Sequence, residues 1–193
     1  MCKFIKASIV AAVAAAAVLG ITTVPTRGAF FFVPGPCDFI TGGGFVFTDL
    51  GPKANFGAHG GCKHGEFWGH VNYVDHGGFM GVSPYHVSSI EITGYMMDDV
   101  APTGREICGF ARTNAGETLR FRVRMEDNGE PGRNDRFGIR LENGYVVTTR
   151  LLGDGGPGGG NIQLHKPNNS TTGPDPQPTE AEMCGSVESP GKF

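Results

Sequence analysis

The chain contains no CxxC pair, which argues against a zinc ribbon or a thioredoxin-type redox site. It has no GxSxG elbow and no HExxH, so neither a hydrolase nucleophile turn nor a zincin centre is encoded. Serine is scarce outside the two ends of the chain, with only Ser83, Ser88 and Ser89 between them. The glycine-rich stretch LGDGGPGGGN (152–161) lacks the Lys-Ser/Thr of a phosphate-cradling loop, and no helical pattern follows it. After residue 28 no segment keeps a helical period over three turns, and no repeat stands out. Basic residues are in deficit, 16 against 19 acidic ones. A protein that bound nucleic acid through its overall charge would lean the other way, so nucleic acid is not an expected partner.

Glycine is abundant instead. Its 32 residues, joined by 13 prolines, are about 17% of the 193-residue chain, against a usual ~7%. No collagen period accompanies them, so they punctuate many short strands.

The start, MCKFIKASIVAAVAAAAVLG, places Lys3 and Lys6 ahead of an apolar run from about Ala7 to Leu19. A basic lead before a short apolar run has the form of a secretory signal, and the run is short for a spanning helix. We therefore read 1–28 as a signal peptide, with Gly20, Gly28 or Ala29 as cleavage points. VPGPC around Cys37 does not have the form of a lipoprotein processing site. Cleavage after residue 28 takes away Lys3, Lys6 and Arg27 and no acid, leaving 13 basic against 19 acidic residues and about −6. The expected location is secreted or at the cell envelope or surface, with no membrane contact once the signal is gone.

Four cysteines follow the signal: Cys37, Cys62, Cys108 and Cys184. An even number in an exported chain implies two disulfides, and three pairings exist. Spacing does not choose among them. Because Cys37 and Cys184 bracket everything else, the working expectation is Cys37–Cys184 tying the ends and Cys62–Cys108 inside the domain.

Strand candidates run from Phe39 at the spacing of an all-β sandwich or barrel. The clearest alternation is in ETLRFRVRME, where Leu119, Phe121, Val123 and Met125 share one face and Arg120, Arg122 and Arg124 the other. DRFGIRLE repeats it, with Phe137, Ile139 and Leu141 inward and Arg136 and Arg140 outward. The two should form an antiparallel hairpin, its register held by burial of about 1.5–3 kcal/mol per large apolar side chain. The expected fold is an antiparallel β-sandwich over 29–167, a barrel being the less favoured form. A Pro/Ser/Thr-rich extended tail, 168–193, follows and is pinned by Cys184.

Three candidate sites emerge. The hairpin loop DNGEPGRND holds Asp127, Asn128, Glu130, Asn134 and Asp135, an oxygen-rich set of the kind calcium takes. The EF-hand spacing fails at Gly129 and Pro131. The plainer reading is a turn in which Asp and Asn bond nearby backbone while glycine supplies positive φ. In GEFWGHVNYVDH, Trp68, His70 and Asn72 share the face opposite Phe67, Val71 and Tyr73, a candidate sugar-stacking surface beside the plainer reading of ordinary sheet packing. His70 and His76 are ~20 Å apart along an extended strand and cannot share a metal there, whereas His59 and His64 lie near one another in sequence. The third candidate is the Arg120, Arg122, Arg124, Arg136 and Arg140 row. It would suit an anionic surface polysaccharide, or else form a solvated face that resists strand-to-strand aggregation. Glu126 and Glu142 are its nearest acids, since like charges directly across a ladder repel. Carboxylates such as Glu66, Asp75, Asp98 and Asp99 could act as a hydrolase pair, but any domain offers such pairs, so the signal is unspecific.

Four segments taken together, CDFITGGGF (37–45), GHVNYVDH (69–76), DNGEPGRNDRFGIRL (127–141) and GGGNIQLHKP (158–167), resemble a small exported bacterial domain. It is the domain that follows choice-of-anchor modules in surface proteins. The resemblance implies a β-rich extracellular or envelope domain and carries no catalytic residues. The functional expectation is a non-catalytic secreted or surface module for adhesion, self-association or extracellular assembly. The alternatives are a polysaccharide hydrolase using paired carboxylates and a calcium-stabilised glycan-binding module.

Overall fold

Alternation in the two best-patterned segments is realised as an antiparallel ladder. Strand β7 (Thr118–Glu126) pairs with β8 (Arg136–Leu141) in a register that sets Val123 opposite Ile139 and Met125 opposite Phe137. Those four residues and Phe121 have no solvent exposure. The computed structural model describes residues 30–191, so the signal-peptide reading of 1–28 lies outside the described residues.

The other strands are β1 (Phe31–Phe32), β2 (Phe39–Phe47), β3 (Lys53–Lys63), β4 (Glu66–Asp75), β5 (Tyr85–Asp98), β6 (Gly104–Thr113), β9 (Val146–Leu151) and β10 (Gly160–His165). A short helix, α1 (Glu180–Cys184), comes last. The fold is all-β, but the expected pair of stacked sheets is replaced by one continuous ladder in the order β10-β2-β3-β4-β5-β6-β7-β8-β9. Strand β1 pairs with Met97 and Asp98 at the end of β5. Register shifts between Ser89 and Glu91 and between Ile92 and Gly94 bend β5. The sheet therefore curls into a half-barrel whose two ends face each other. Phe56 of β3 stacks on Phe137 of β8 across the interior, ring centroids 3.8 Å apart.

Both edges of the sheet end on side chains. The outer amides of β10 donate to carboxylates of the β7–β8 loop, Ile162 N to Asp135 Oδ2 at 2.7 Å and Leu164 N to Asp127 Oδ2 at 2.8 Å. On β9, the Thr148 amide and Oγ1 donate to Asp49 Oδ2, at 3.4 and 3.1 Å, and the Arg150 side chain donates to the Phe47 carbonyl at 2.9 Å. These contacts occupy positions that an exposed strand edge would offer to another chain.

The disulfides are Cys37–Cys62 and Cys108–Cys184, correcting the expected pairing. The cause is sidedness. Cys62 belongs to the β3 set with Ala54, Phe56 and Ala58 that faces the interior, beside Cys37 where the chain enters β2. Cys108 stands on the outer side of β6, opposite Arg122, where only the C-terminal segment reaches it.

That segment is a strap across the outer face of the β5–β8 half. It passes the β3–β4 turn, where His64 N donates to the Ser170 carbonyl and Gly65 N to the Thr172 carbonyl. It then forms α1, started by a reciprocal Thr179–Glu182 capping box. Met183 of α1 lies over Gly94, where an added Cβ would collide with its side chain. Cys184 closes the disulfide, and Val187 and Ser189 continue the contact.

Candidate functional site

The arginine row points outward, as alternation requires, but the strap and β1 cover its centre. Arg122 and Arg124 are each 2% exposed, so the expectation of a solvated guanidinium face is corrected. Arg122 pairs with Glu106 through its Nε and with Glu180 of α1 at 2.6 Å, and it also donates to the Val187 carbonyl. Phe31 of β1 lies under its guanidinium at 4.4 Å. Arg124 meets Asp98 at 2.5 Å, Glu106 at 3.0 Å and Glu126 at 2.8 Å. Glu106, not legible as a partner in the sequence, is thus shared by two buried arginines. Like-charge repulsion across the ladder, where Arg122 faces Arg140, is offset by these acids. Arg120 stacks on Phe110 at 4.4 Å, Arg136 lies half-buried opposite Glu126, and Arg140 approaches the exposed Glu188 at 4.0 Å. The row is a structural layer with its charges engaged by protein.

The oxygen-rich loop also does structural work. Asp127 and Asp135 hold the β10 amides, and their second oxygens accept from Gly129 N and Asn128 N. Glu130 Oε1 accepts from Gln163 Nε2 at 2.7 Å and Asn161 Nδ2 at 3.1 Å. Asn128 Nδ2 donates to the Asn134 carbonyl. Gly132, at φ 78°, lies so close to β10 that an added Cβ would stand 2.5 Å from Asn161 Oδ1. The loop docks a strand onto its hairpin. Among the described residues no group of three or more His, Cys, Asp or Glu is arranged to hold a metal ion.

The carboxylates considered for hydrolysis are dispersed. Asp98 is tied to Arg124 and to the Val100 and Ala101 amides, and Asp99 accepts from the Phe30 amide. Asp75 is bonded to Tyr145, and Glu66 opens β4 on the exposed surface.

Trp68, His70 and Asn72 lie on the outer face of β4, as the sequence indicates, and there they join residues it did not single out. Pairing across β10, β2, β3 and β4 aligns His165, Phe39, Gly61 and Trp68 in one outward row. Gln163, Thr41, His59 and His70 form the next row, and Asn161, Gly43, Gly57 and Asn72 the one after it. Phe39 stacks on His165 at 4.4 Å with nearly parallel rings and meets Trp68 at 6.1 Å. His59 continues the chain, 5.4 Å from Trp68 and 6.4 Å from His70. Gly61 lets Phe39 lean toward Trp68, since a Cβ there would stand 2.5 Å from the Phe39 Cβ.

His59 is paired with His70 rather than with His64, which lies in the β3–β4 turn. Partial burial, with the neighbouring His70 second, holds the His59 pKa below its ordinary value. Ser89 at the β5 bulge bonds the His70 ring at 2.9 Å and accepts from the Val71 amide. The third row has a glycine floor. Gly43 and Gly57 are directly opposed, an added Cβ on Gly57 meets nothing within 4 Å, and Asn161 and Asn72 stand at the two ends.

Compared with protein-family models, curated proteins and solved structures, the chain matches none. Its two disulfides are compatible with an extracellular protein, and among the described residues no helix is long and apolar enough to cross a membrane.

Proposed function

We propose that this is a non-catalytic, secreted or surface-borne module for adhesion or assembly, and that it binds an uncharged carbohydrate on the outer face of β10, β2, β3 and β4. The observation that carries this reading is an asymmetry. One half of the sheet's outer face is closed by the strap, while the other leaves a strip of five rings beside a glycine-floored trough. A flat ring strip supplies apolar contact for the faces of sugar rings, and the flanking amides and imidazoles supply hydrogen bonds. No Asp, Glu or Arg stands in the three outward rows, and the one carboxylate bonded to them, Glu130 on Asn161 and Gln163, would repel an anion; both favour a neutral glycan over the anionic polymer suggested by the arginine row. Two disulfides and the signal-like N-terminus support an extracellular setting.

The test is binding of the purified protein to a panel of neutral and acidic polysaccharides. Trp68→Ala should weaken the best neutral binder by about tenfold, the size of one lost ring contact. Gly57→Gln should do the same by filling the trough, in a place where the new side chain meets open space. Unchanged binding in both variants, with melting temperatures preserved, would sink the proposal. Assembly without a glycan would appear as self-association that both variants retain.

A further inference from the structure

At the opposite end of the strands from the β7–β8 loop, the turns after β2, β4 and β8 enclose a pocket of about 250 Å³. Leu50, Phe79, Tyr145 and Val146 form its apolar lining, and two carboxylates are in its wall, Asp75 and the Asp49 that pairs with Arg150. We propose that this pocket binds a primary alkylammonium group, with Asp75 as the counter-ion and Phe79 and Tyr145 as ring walls. The proposal stands independently of the carbohydrate face.

Asp75 is the central observation. It is 3% exposed, and its partners are a backbone amide and a phenol, Gly77 N at 2.8 Å and Tyr145 Oη at 2.7 Å. Among the described residues it makes no ion pair, unlike the buried Asp38 and Asp98, each of which holds an arginine. A buried carboxylate served by neutral donors alone retains a large electrostatic preference for a cation.

The donors are fixed. Tyr145 donates to Asp75, so its oxygen accepts from Tyr73, 2.7 Å away. Burial raises the pKa of both tyrosines, which keeps the chain Tyr73–Tyr145–Asp75 in this polarity. The rings then present what an organic cation uses. Phe79 and Tyr145 meet edge to face at 5.1 Å and 82°, and Tyr85 lies 5.4 Å from each. The apolar lining suits an alkyl stem rather than a hydrated metal ion. Leu50, 92% exposed at the tip of the β2–β3 turn, stands at the mouth.

The shared ligand chemistry is –CH2–NH3+, whether on a free amine or on a lysine side chain of a partner. The full mature chain would be titrated with n-butylammonium, n-butanol, a terminally blocked lysine peptide and the same peptide acetylated on lysine. Amide NMR signals of Gly77, Gly78, Tyr145 and Val146 report the site. Butylammonium, with its few atoms, should saturate those shifts with a dissociation constant on the order of 1 mM. Butanol and the acetylated peptide should leave them in place. Tighter binding of the lysine peptide than of butylammonium identifies a protein partner, and equal binding a free amine; both outcomes support the site. Asp75→Asn should weaken binding by about tenfold or more. Should that variant fail to fold, Leu50→Lys, on a fully solvated side chain, places a competing ammonium at the mouth and should weaken binding several-fold. Absence of shifts with butylammonium, equal shifts with butanol, or undiminished binding by folded variants would overturn the proposal.

Discussion

The amide of Ile162 donates to Asp135 Oδ2 at 2.7 Å across 27 positions of sequence, so the last strand of the sheet is held on its free side by a side chain. Asp127 repeats the contact two residues further along, to Leu164 N. The spacing of two is the spacing at which one edge of a strand presents its donors. The loop that reads as a calcium candidate thus supplies two acceptors in place of a neighbouring strand.

Asp135→Ala should therefore destabilise the protein by about 1–3 kcal/mol, the cost of leaving buried amides unpaired. Hydrogen exchange should quicken at Ile162 well before it does at Ile139 in the core. Calcium should not alter the melting temperature of the wild type; a clear rise would return the loop to metal binding.

Glu106 is 1% exposed and serves both Arg122 and Arg124. Glu106→Gln should cost about 3–5 kcal/mol in chemical denaturation, because it leaves two desolvated guanidiniums short of charge. Glu188, 83% exposed beside Arg140, is the control, and its removal should leave the denaturation midpoint where it was.

The two disulfides close loops of different size, with sequence separations of 25 and 76. By chain entropy alone they contribute about 3.5 and about 4.5 kcal/mol. Replacing Cys108 and Cys184 by serine should thus destabilise more than replacing Cys37 and Cys62. It should also free residues 180–189 for rapid exchange while β2 and β3 stay protected. Equal losses for both pairs would contradict the strap's role.

His59 is held below the ordinary imidazole value of 6.5, by burial first and by His70 second. Its neutral form is the one the fold prefers. Its contribution to stability is complete above that value and is lost as pH falls through the lower, folded-state pKa. Proton NMR titration should show His59 titrating below 6.5, and His70→Gln should move it upward. A His59 midpoint above 6.5 would refute the assignment.

Side was more legible in the sequence than cover. Period-two alternation placed Phe121, Val123, Met125, Phe137 and Ile139 inward and the arginines outward, and each lies on that side. Alternation carries no information about what lies on top, so the burial of Arg122 and Arg124 escaped it. The covering strap is rich in proline and lacks any period, and only Cys184 hinted that it docks. The disulfide partners were hidden for a related reason: choosing them requires knowing which cysteine faces the interior.

The outer face was half visible. Trp68, His70 and Asn72 follow from local alternation on β4. His165 and Phe39 join them only because β10 pairs with β2, and the Thr41–His165 contact spans 124 residues. Sequence nearness suggested His64 as the neighbour of His59, whereas β3 pairing sets it beside His70, and the glycines of GAHGGC let neighbouring rings and strands come close.

The strap has a consequence for how the chain matures during synthesis. Arg122 finds an acid in Glu180, 58 positions further along the chain, and Glu106 a hydroxyl in Ser189, 83 positions further along. Until those residues emerge, an otherwise finished sheet carries Arg122 and Glu106 paired with each other but short of the partners that the strap brings. Completion must wait for the tail, and a product cut short before residue 180 would leave that ionic layer open to water.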